Sequence, residues 1–426
     1  MDDWTLLPVV VVTAVVAALL CLLIINFASA ERRLRHPPQR LYTLQDPDFR
    51  RATGVLLGPA ILSGNQVQPL ANGDAIFPPM LRAIESARVS VCFETFIYWS
   101  GDIGERFADA LLAAATRGVA VHLVLDWIGS RELQPALLTR LRQAGIEVHL
   151  YHRLSWLHLG RLNNRTHRKL LIVDGVLGFT GGVGIGTQWT GNAQDAGHWR
   201  DMHYAVTGPV VAQMQAVFLD NWIKVSGNVL HGPEYFPPLE ACGDMDAQMF
   251  GSSPSGGAES MQLMFLLAIT AARRSIDIAS PYFVPDRLTR ETLVAAAQRG
   301  VLVRVLVPGR RTDNTFVRRA SQRHWGSLLR AGVAVFEFVP TMMHSKFMVV
   351  DGEWTTVGSA NFDNRSFRLN DEANLNVFST QLAGAHAALF EADLARSRRV
   401  SYVAWKNRSL WRRMRESVVS VVESQL

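Results

Sequence analysis

The chain has 426 residues, is 48% hydrophobic and 19% charged, and carries a formal net charge of +6. That length suits two domains with sizeable cores. The positive excess fits nucleic acid and an anionic membrane alike, so charge alone does not choose between them. Cys21, Cys92 and Cys242 are odd in number and widely spaced, which excludes a disulfide framework or a CxxC zinc site and favours a reducing compartment.

No charged residue lies between Leu6 and Ala28, a run long enough to cross a bilayer as a helix. Asp2 and Asp3 precede it, and Arg32, Arg33, Arg35 and Arg40 follow it, so the positive-inside rule puts the rest of the chain on the cytoplasmic side. A cleaved signal peptide ending at Ala28-Ser29-Ala30 is the rival, disfavoured by the acidic start and the length of the apolar run. Residues 1–30 are therefore expected to form a transmembrane anchor. Residues 31–63, with the HPPQR stretch from His36 to Arg40, read as a basic linker and entry segment.

A first lobe is expected over residues 64–230. It opens with a candidate turn at Asn72-Gly73. Val89–Trp99 reads as a buried strand, and GERFADALLAAATRGV as a helix capped near Gly118. Residues 231–257 form a connector, whose last part, Gly243–Gly257, is a linker or an entry strand. A second lobe follows over 258–380, and basic Trp-containing helices over 381–426. That last segment carries Arg396, Arg398, Arg399, Arg408, Arg412, Arg413 and Arg415 with Trp405 and Trp411. It suits either a membrane headgroup layer or packing on the second lobe. Arg310, Arg311, Arg318, Arg319 and Arg323 suit steering of anionic headgroups or a solvated helix face.

The lobes are copies of one pattern. HRKLLIVD (His167–Asp174) returns 177 residues later as HSKFMVVD (His344–Asp351). At the same offset Gly181 and Gly182 meet Gly358 and Ser359, and Gly184 meets Asn361. Ala115–Leu125 matches Ala296–Leu306, so each half reads as strand, helix, strand, then the His/Lys strand. A repeat of this length means two α/β lobes rather than a solenoid.

On a strand, residues two apart share a face, so His167 with Lys169, and His344 with Lys346, project side by side. Two such strands can flank one phosphodiester. A neutral imidazole attacks phosphorus, a protonated one protonates the leaving oxygen, and the lysines hold the non-bridging oxygens. No metal or cofactor is needed for that chemistry. Asp174 and Asp351, each before a glycine in a turn, complete the triplets as residues that do not touch phosphorus. Asp201 and Glu372 are candidate partners for the imidazoles, and Asn361 a candidate amide donor to phosphate. GGVGIG (Gly181–Gly186) fails the GxGxxG spacing and reads as tight packing beneath the site. His149, His152 and His158 match no ligand spacing and read as rim residues.

The pair HRKLLIVDG…GFTGGV and HSKFMVVDG…TVGSANFDNRSF resembles the phospholipase D superfamily. FETFIYW, WRDMHYAVTGPVV, SPYFVPD and RLNDEANL narrow the resemblance to its bacterial cardiolipin synthase branch. It implies two pseudo-twofold related lobes, each a mixed sheet flanked by helices, carried by an N-terminal transmembrane helix in the bacterial inner membrane. It implies a phosphatidyltransferase that passes a phosphatidyl group between two phosphatidylglycerol molecules through a phosphohistidine, with His167 the nucleophile and His344 the acid. Its partners would be phosphatidylglycerol and anionic membrane lipids, with no nucleic acid. The superfamily's Asn ten residues past the motif Asp is kept as Asn361 but replaced by Gly184 in the first half. A phosphodiesterase hydrolysing phospholipid or nucleic acid, and an inactive lipid-binding protein, are the alternatives.

Overall fold

Both halves of the repeat build the same strand order in the computed structural model, which describes residues 6–27, 34, 36–39, 42–152, 163–253, 259–409 and 411. The first lobe contributes β1 (Leu62–Ala71), β2 (Ser90–Thr95), β3 (Ala120–Asp126), β4 (Glu147–Tyr151), β5 (Arg165–Thr166), β6 (Lys169–Val173), β7 (Leu177–Gly181) and β8 (Met202–Thr207). The second contributes β9 (Met245–Ser252), β10 (Ser275–Ala279), β11 (Phe283–Val284), β12 (Leu302–Pro308), β13 (Ala334–Phe338), β14 (Phe347–Val350), β15 (Trp354–Gly358), β16 (Phe362–Asp363), β17 (Asn370–Phe378) and β18 (Ser397–Arg399). Strand order is β4-β3-β2-β6-β7-β8-β1 in one lobe and β13-β12-β10-β14-β15-β17-β9 in the other. β1 and β9 pair antiparallel and fuse the two into one continuous sheet.

The sheets are mixed for a local reason. β2, β3 and β4 run parallel, as do β10, β12 and β13, because helices link them. The other neighbours within each seven-strand order are antiparallel, while the short pairs β5–β17 and β11–β16 are parallel. Helices cover both faces, so β2, β6 and β14 are buried at every residue, and β14 and Leu170–Val173 of β6 are unbroken apolar runs. The crossover helices Asp102–Thr116 and Arg287–Gln298 both stop at a left-handed glycine, Gly118 at φ 87° and Gly300 at φ 92°. Two further helices, Val210–Ser226 and Thr380–Ala395, bury Phe218, Trp222, Leu382 and Phe390 in a single core that draws on both lobes.

Several elements differ from the sequence reading. Asn72 does take a left-handed backbone (φ 62°), but the chain then enters the helix Asn72–Ser86 and makes no hairpin. Gly73 is needed there because a Cβ would collide with the backbone of Trp189 and Thr190. The stretch 31–63 holds the helix Pro47–Leu56, capped by Asp46. In the segment 381–426, residues through Ala395 pack on the second lobe's sheet, and Ser397–Arg399 is an edge strand on β13 and not helix. At the N-terminus Leu6–Phe27 is a 22-residue helix with no charged residue. Its side chains are described only between positions 8 and 21, and among the described residues no helix is long and apolar enough to cross a membrane. Arg32, Arg33, Arg35, Arg40, His158, Arg412, Arg413 and Arg415 lie outside the described residues.

Candidate active site

Each histidine strand begins by crossing to the other lobe. β5 runs parallel to the start of β17, and the His167 amide donates to the Asp371 carbonyl at 2.8 Å. In the second lobe Met343 bridges to Arg200, and the His344 amide donates to the Arg200 carbonyl at 2.7 Å. The residue after each acceptor is a carboxylate, Glu372 in one case and Asp201 in the other. The partners are therefore exchanged between lobes. His167 Nδ1 lies 2.9 and 3.0 Å from the Glu372 oxygens, and His344 Nδ1 lies 2.7 Å from Asp201 Oδ2.

This exchange sets the protonation states. Burial would raise both carboxyl pKa values, but the attraction and hydrogen bond of the facing imidazole, with a nearby lysine, hold Glu372 and Asp201 below the usual carboxylate range. An ionised carboxylate only accepts, so each Nδ1 carries the proton; His167 Nε2 keeps its lone pair open, whereas Lys346 Nζ lies 3.1 Å from His344 Nε2. Burial lowers both histidines, and Lys169 and Lys346 add to the effect at His167. Lys169 Nζ donates to the His167 carbonyl and Lys346 Nζ to the His344 carbonyl, each at 2.7 Å. Burial brings Lys169 down to about 7, helped by repulsion from Lys346, and Lys346 down to about 8. Lys169 and Lys346 each feel both Glu372 and Asp201, so the two halves form one electrostatic site.

The second contacts are unequal. Ser359 Oγ donates to Glu372 at 2.5 Å, whereas Trp189 Nε1 donates to Asp201 at 2.9 Å. The position matching Ser359 is Gly182, where a Cβ would overlap Asp201 Oδ1. At Gly184 a Cβ would stand 2.8 Å from Ile97 Cβ and 3.2 Å from Trp189 Cζ3, so aromatic and aliphatic bulk fills the place of the superfamily's first Asn. Asn361 is buried, and its side-chain oxygen has no partner among the described residues. Trp189 and Trp199 pack 5.4 and 5.2 Å from the His344 ring, while Phe96 packs 5.3 Å from His167.

Asp174 and Asp351 stand apart from the imidazoles. Asp174 (φ 51°) accepts from the amides of Arg88, Val89 and Ser90, and Asp351 (φ 55°) from those of Arg273, Arg274 and Ser275. Each pins the start of a neighbouring strand, β2 or β10. Sequence reasoning missed Trp189, Trp199, Ser359 and His203. Buried His203 has an unpartnered Nδ1 and a pKa pushed by burial to about 3. The spacing HWRDMH held a signal for Trp199 and His203, since both flank Asp201. Ser359 was visible as the repeat partner of Gly182. His149 packs 5.0 Å from Trp222 and His152 Nδ1 contacts the Asn164 carbonyl. Among the described residues no group of three or more His, Cys, Asp or Glu could hold a metal ion.

A family model described as "Cardiolipin synthase, PLD-like domain" matches residues 80–222 and 265–394. Cardiolipin synthase A of Pseudomonas fluorescens is 38% identical over 341 residues, covering 80% of this chain and 71% of that protein. The major cardiolipin synthase of Bacillus subtilis is 34% identical over 402 residues, 91% of this chain and 83% of its own length. Among solved structures, phosphatidylserine synthase of Haemophilus influenzae superposes with a TM-score of 0.69 at 12% identity, over 89% of this chain and 100% of that one. That likeness is one of fold.

Proposed function

This chain belongs to the cardiolipin synthase family of phospholipase D-like proteins, and from that premise we propose how it acts as a phosphatidyltransferase that makes cardiolipin. Two phosphatidylglycerol molecules are the substrates. His167 Nε2 attacks phosphorus of the first, forming a P–N bond as the P–O bond to glycerol breaks. His344 Nε2–H gives its proton to the departing glycerol oxygen. The free primary hydroxyl of the second phosphatidylglycerol then passes its proton to His344 and attacks the phosphohistidine. The P–N bond breaks, cardiolipin leaves, and His167 returns to its neutral form.

The observation that carries this reading is the exchange of carboxylates, His167 with Glu372 and His344 with Asp201. It leaves an available lone pair on the attacking imidazole and stabilises a proton on the other. Burial lowers both imidazoles in the empty site. An arriving phosphodiester brings negative charge, which favours the imidazolium at His344 and full protonation of Lys169 and Lys346. The lysines would hold the non-bridging oxygens, and the Asn361 amide would donate to one of them.

The charge-free run from Leu6 to Ala28 in the sequence and the arginines after it support an inner-membrane location with the lobes on the cytoplasmic side, where anionic phospholipid is held in the same bilayer. The test is to supply phosphatidylglycerol to the purified full chain and follow both products. Cardiolipin and glycerol in equal amounts are expected. Phosphatidic acid as the main product would make the enzyme a hydrolase and overturn the transfer step.

A further inference from the structure

The edge of the second lobe carries a cationic cleft that the reaction does not use. It has a volume of about 400 Å³ and is lined by Arg310, Arg318, Arg319, Arg398, Gln322 and Trp411, among others. That size is within the range of ligand sites. Glu337 is the carboxylate that serves it, bonding Arg318 through one oxygen and Arg398 through the other. Arg310 and Arg319 are exposed and have no carboxylate partner among the described residues. Among the described residues, four guanidiniums against one carboxylate leave a local excess of positive charge, in forks shaped to grip phosphate oxygens.

The surroundings favour a lipid over a free anion or a nucleic acid. Trp411 is 72% exposed at the cleft, and Phe316, 37% exposed, stands at the start of the helix Thr315–Arg330 that carries Arg318 and Arg319. Exposed aromatic side chains beside arginines suit the boundary between headgroups and acyl chains. The cleft is linked to the site along the chain. Arg310 is three residues before Asp313, which bonds the Tyr282 hydroxyl at 2.5 Å and acts electrostatically on His344 and Lys346.

We propose that the Arg310/Arg319 cleft is a docking site for the phosphodiester headgroup of an anionic phospholipid at the membrane surface. The inference rests on the lipid-transfer reading above, and it adds a second headgroup site outside the two histidines. It would seat the lobes on anionic bilayer and hold substrate lipid beside the centre.

The experiment uses the full chain in nanodiscs and reads arginine modification by phenylglyoxal, peptide by peptide. Discs containing phosphatidylglycerol should slow modification of Arg310 and Arg319 at least severalfold relative to phosphatidylcholine discs. Equal rates in both discs would overturn the proposal. Equal protection by inorganic phosphate, or by an oligonucleotide, in phosphatidylcholine discs would reassign the cleft to small anions or to nucleic acid. This readout needs no turnover, so a failure of the transferase reading is seen separately as absence of cardiolipin. A second arm follows turnover against the mole fraction of phosphatidylglycerol. Each surface guanidinium contributes about fivefold to association with an anionic surface, so Arg310→Ala/Arg319→Ala should raise the half-saturating mole fraction by roughly thirtyfold at most. An unmoved half-saturation in a variant of unchanged Tm counts against the cleft.

Discussion

Replacing Glu372 with Gln tests the exchanged pairs at their most exposed point of logic. The substitution keeps size and shape, and Ser359 can still bond the side chain that it now meets at 2.5 Å. What changes is the partner of His167 Nδ1, which now lies 2.9 and 3.0 Å from two carboxylate oxygens. A carboxylate can only accept, so it fixes the proton on Nδ1. A Gln amide can turn its N–H toward Nδ1, which moves the imidazole proton to Nε2, the atom proposed to attack phosphorus. The loss of the Glu372 charge also leaves Asp201 to oppose Lys169 and Lys346 without it, lowering the stability of an imidazolium at His167. The same replacement behind a catalytic histidine in serine proteases costs about four orders of magnitude in kcat, and a loss of 10³ to 10⁴ is expected here. Cardiolipin formation under saturating phosphatidylglycerol measures it, with thermal unfolding as the control for fold. A Glu372→Gln enzyme of normal Tm that turns over within tenfold of the parent would refute the role of the exchanged carboxylate.

Other outcomes follow from the same geometry. The pH profile of kcat/KM should fall on its alkaline side between about 7 and 8, because burial with repulsion from Lys346 brings Lys169 to about 7 and burial brings Lys346 to about 8, and protons are lost as pH rises through those values. Lys169→Arg should push that limb upward, since a guanidinium keeps its charge; an unmoved limb assigns it to another group. The acid limb should lie below about 6.5, the ordinary histidine value, because burial lowers His167. Asp351→Asn should act on stability rather than chemistry. It disturbs charge-assisted bonds to Arg273, Arg274 and Ser275 amides, a loss of about 2–3 kcal/mol. Calorimetry should show a lowered Tm while the folded enzyme keeps its kcat within threefold; a hundredfold fall in kcat would place the carboxylate in the reaction. Gly184→Asn should not restore a phosphate-binding amide. Its Cβ would press on Ile97 and Trp189, at about 1–3 kcal/mol, and higher activity with unchanged Tm would show that the pocket does accept the side chain.

The repeat made much of this molecule legible before any coordinates. The His/Lys spacing specified a shared strand face, the apolar runs specified buried strands, and the RG pairs before Val119 and Val301 specified where two helices end. Asp201 and Glu372 were identifiable as carboxylates at equivalent points of the repeat. Their assignment was not, because crossing between lobes depends on β5 pairing with β17 and on the Arg200–Met343 bridge, contacts hundreds of positions apart or formed by two-residue strands. No periodicity reports such contacts. Trp189 was invisible for a different reason. It fills space vacated at Gly184, and a missing side chain carries no sign of what replaces it. The edge strand Ser397–Arg399 was read as helix because its arginines favour helices in isolation, while hydrogen bonding to β13 decides otherwise.

The exchange has a consequence for how the lobes depend on each other. A single lobe taken alone would present an imidazole without the carboxylate that orients it and a carboxylate without its imidazole. Both buried groups would then lack the partner that offsets their burial. The continuous β1–β9 junction and the shared core around Trp222 and Phe390 hold the lobes in register, so orientation of the two rings is a property of the pair. Within that frame the walls are unequal, and the proposed order of roles rests on the inequality. His344 has two indoles within 5.4 Å, and indole is the best aromatic partner for a cation, which suits the ring that must carry a proton. His167 has a phenyl ring and a carboxylate further fixed by Ser359, which suits a neutral ring held rigidly for attack.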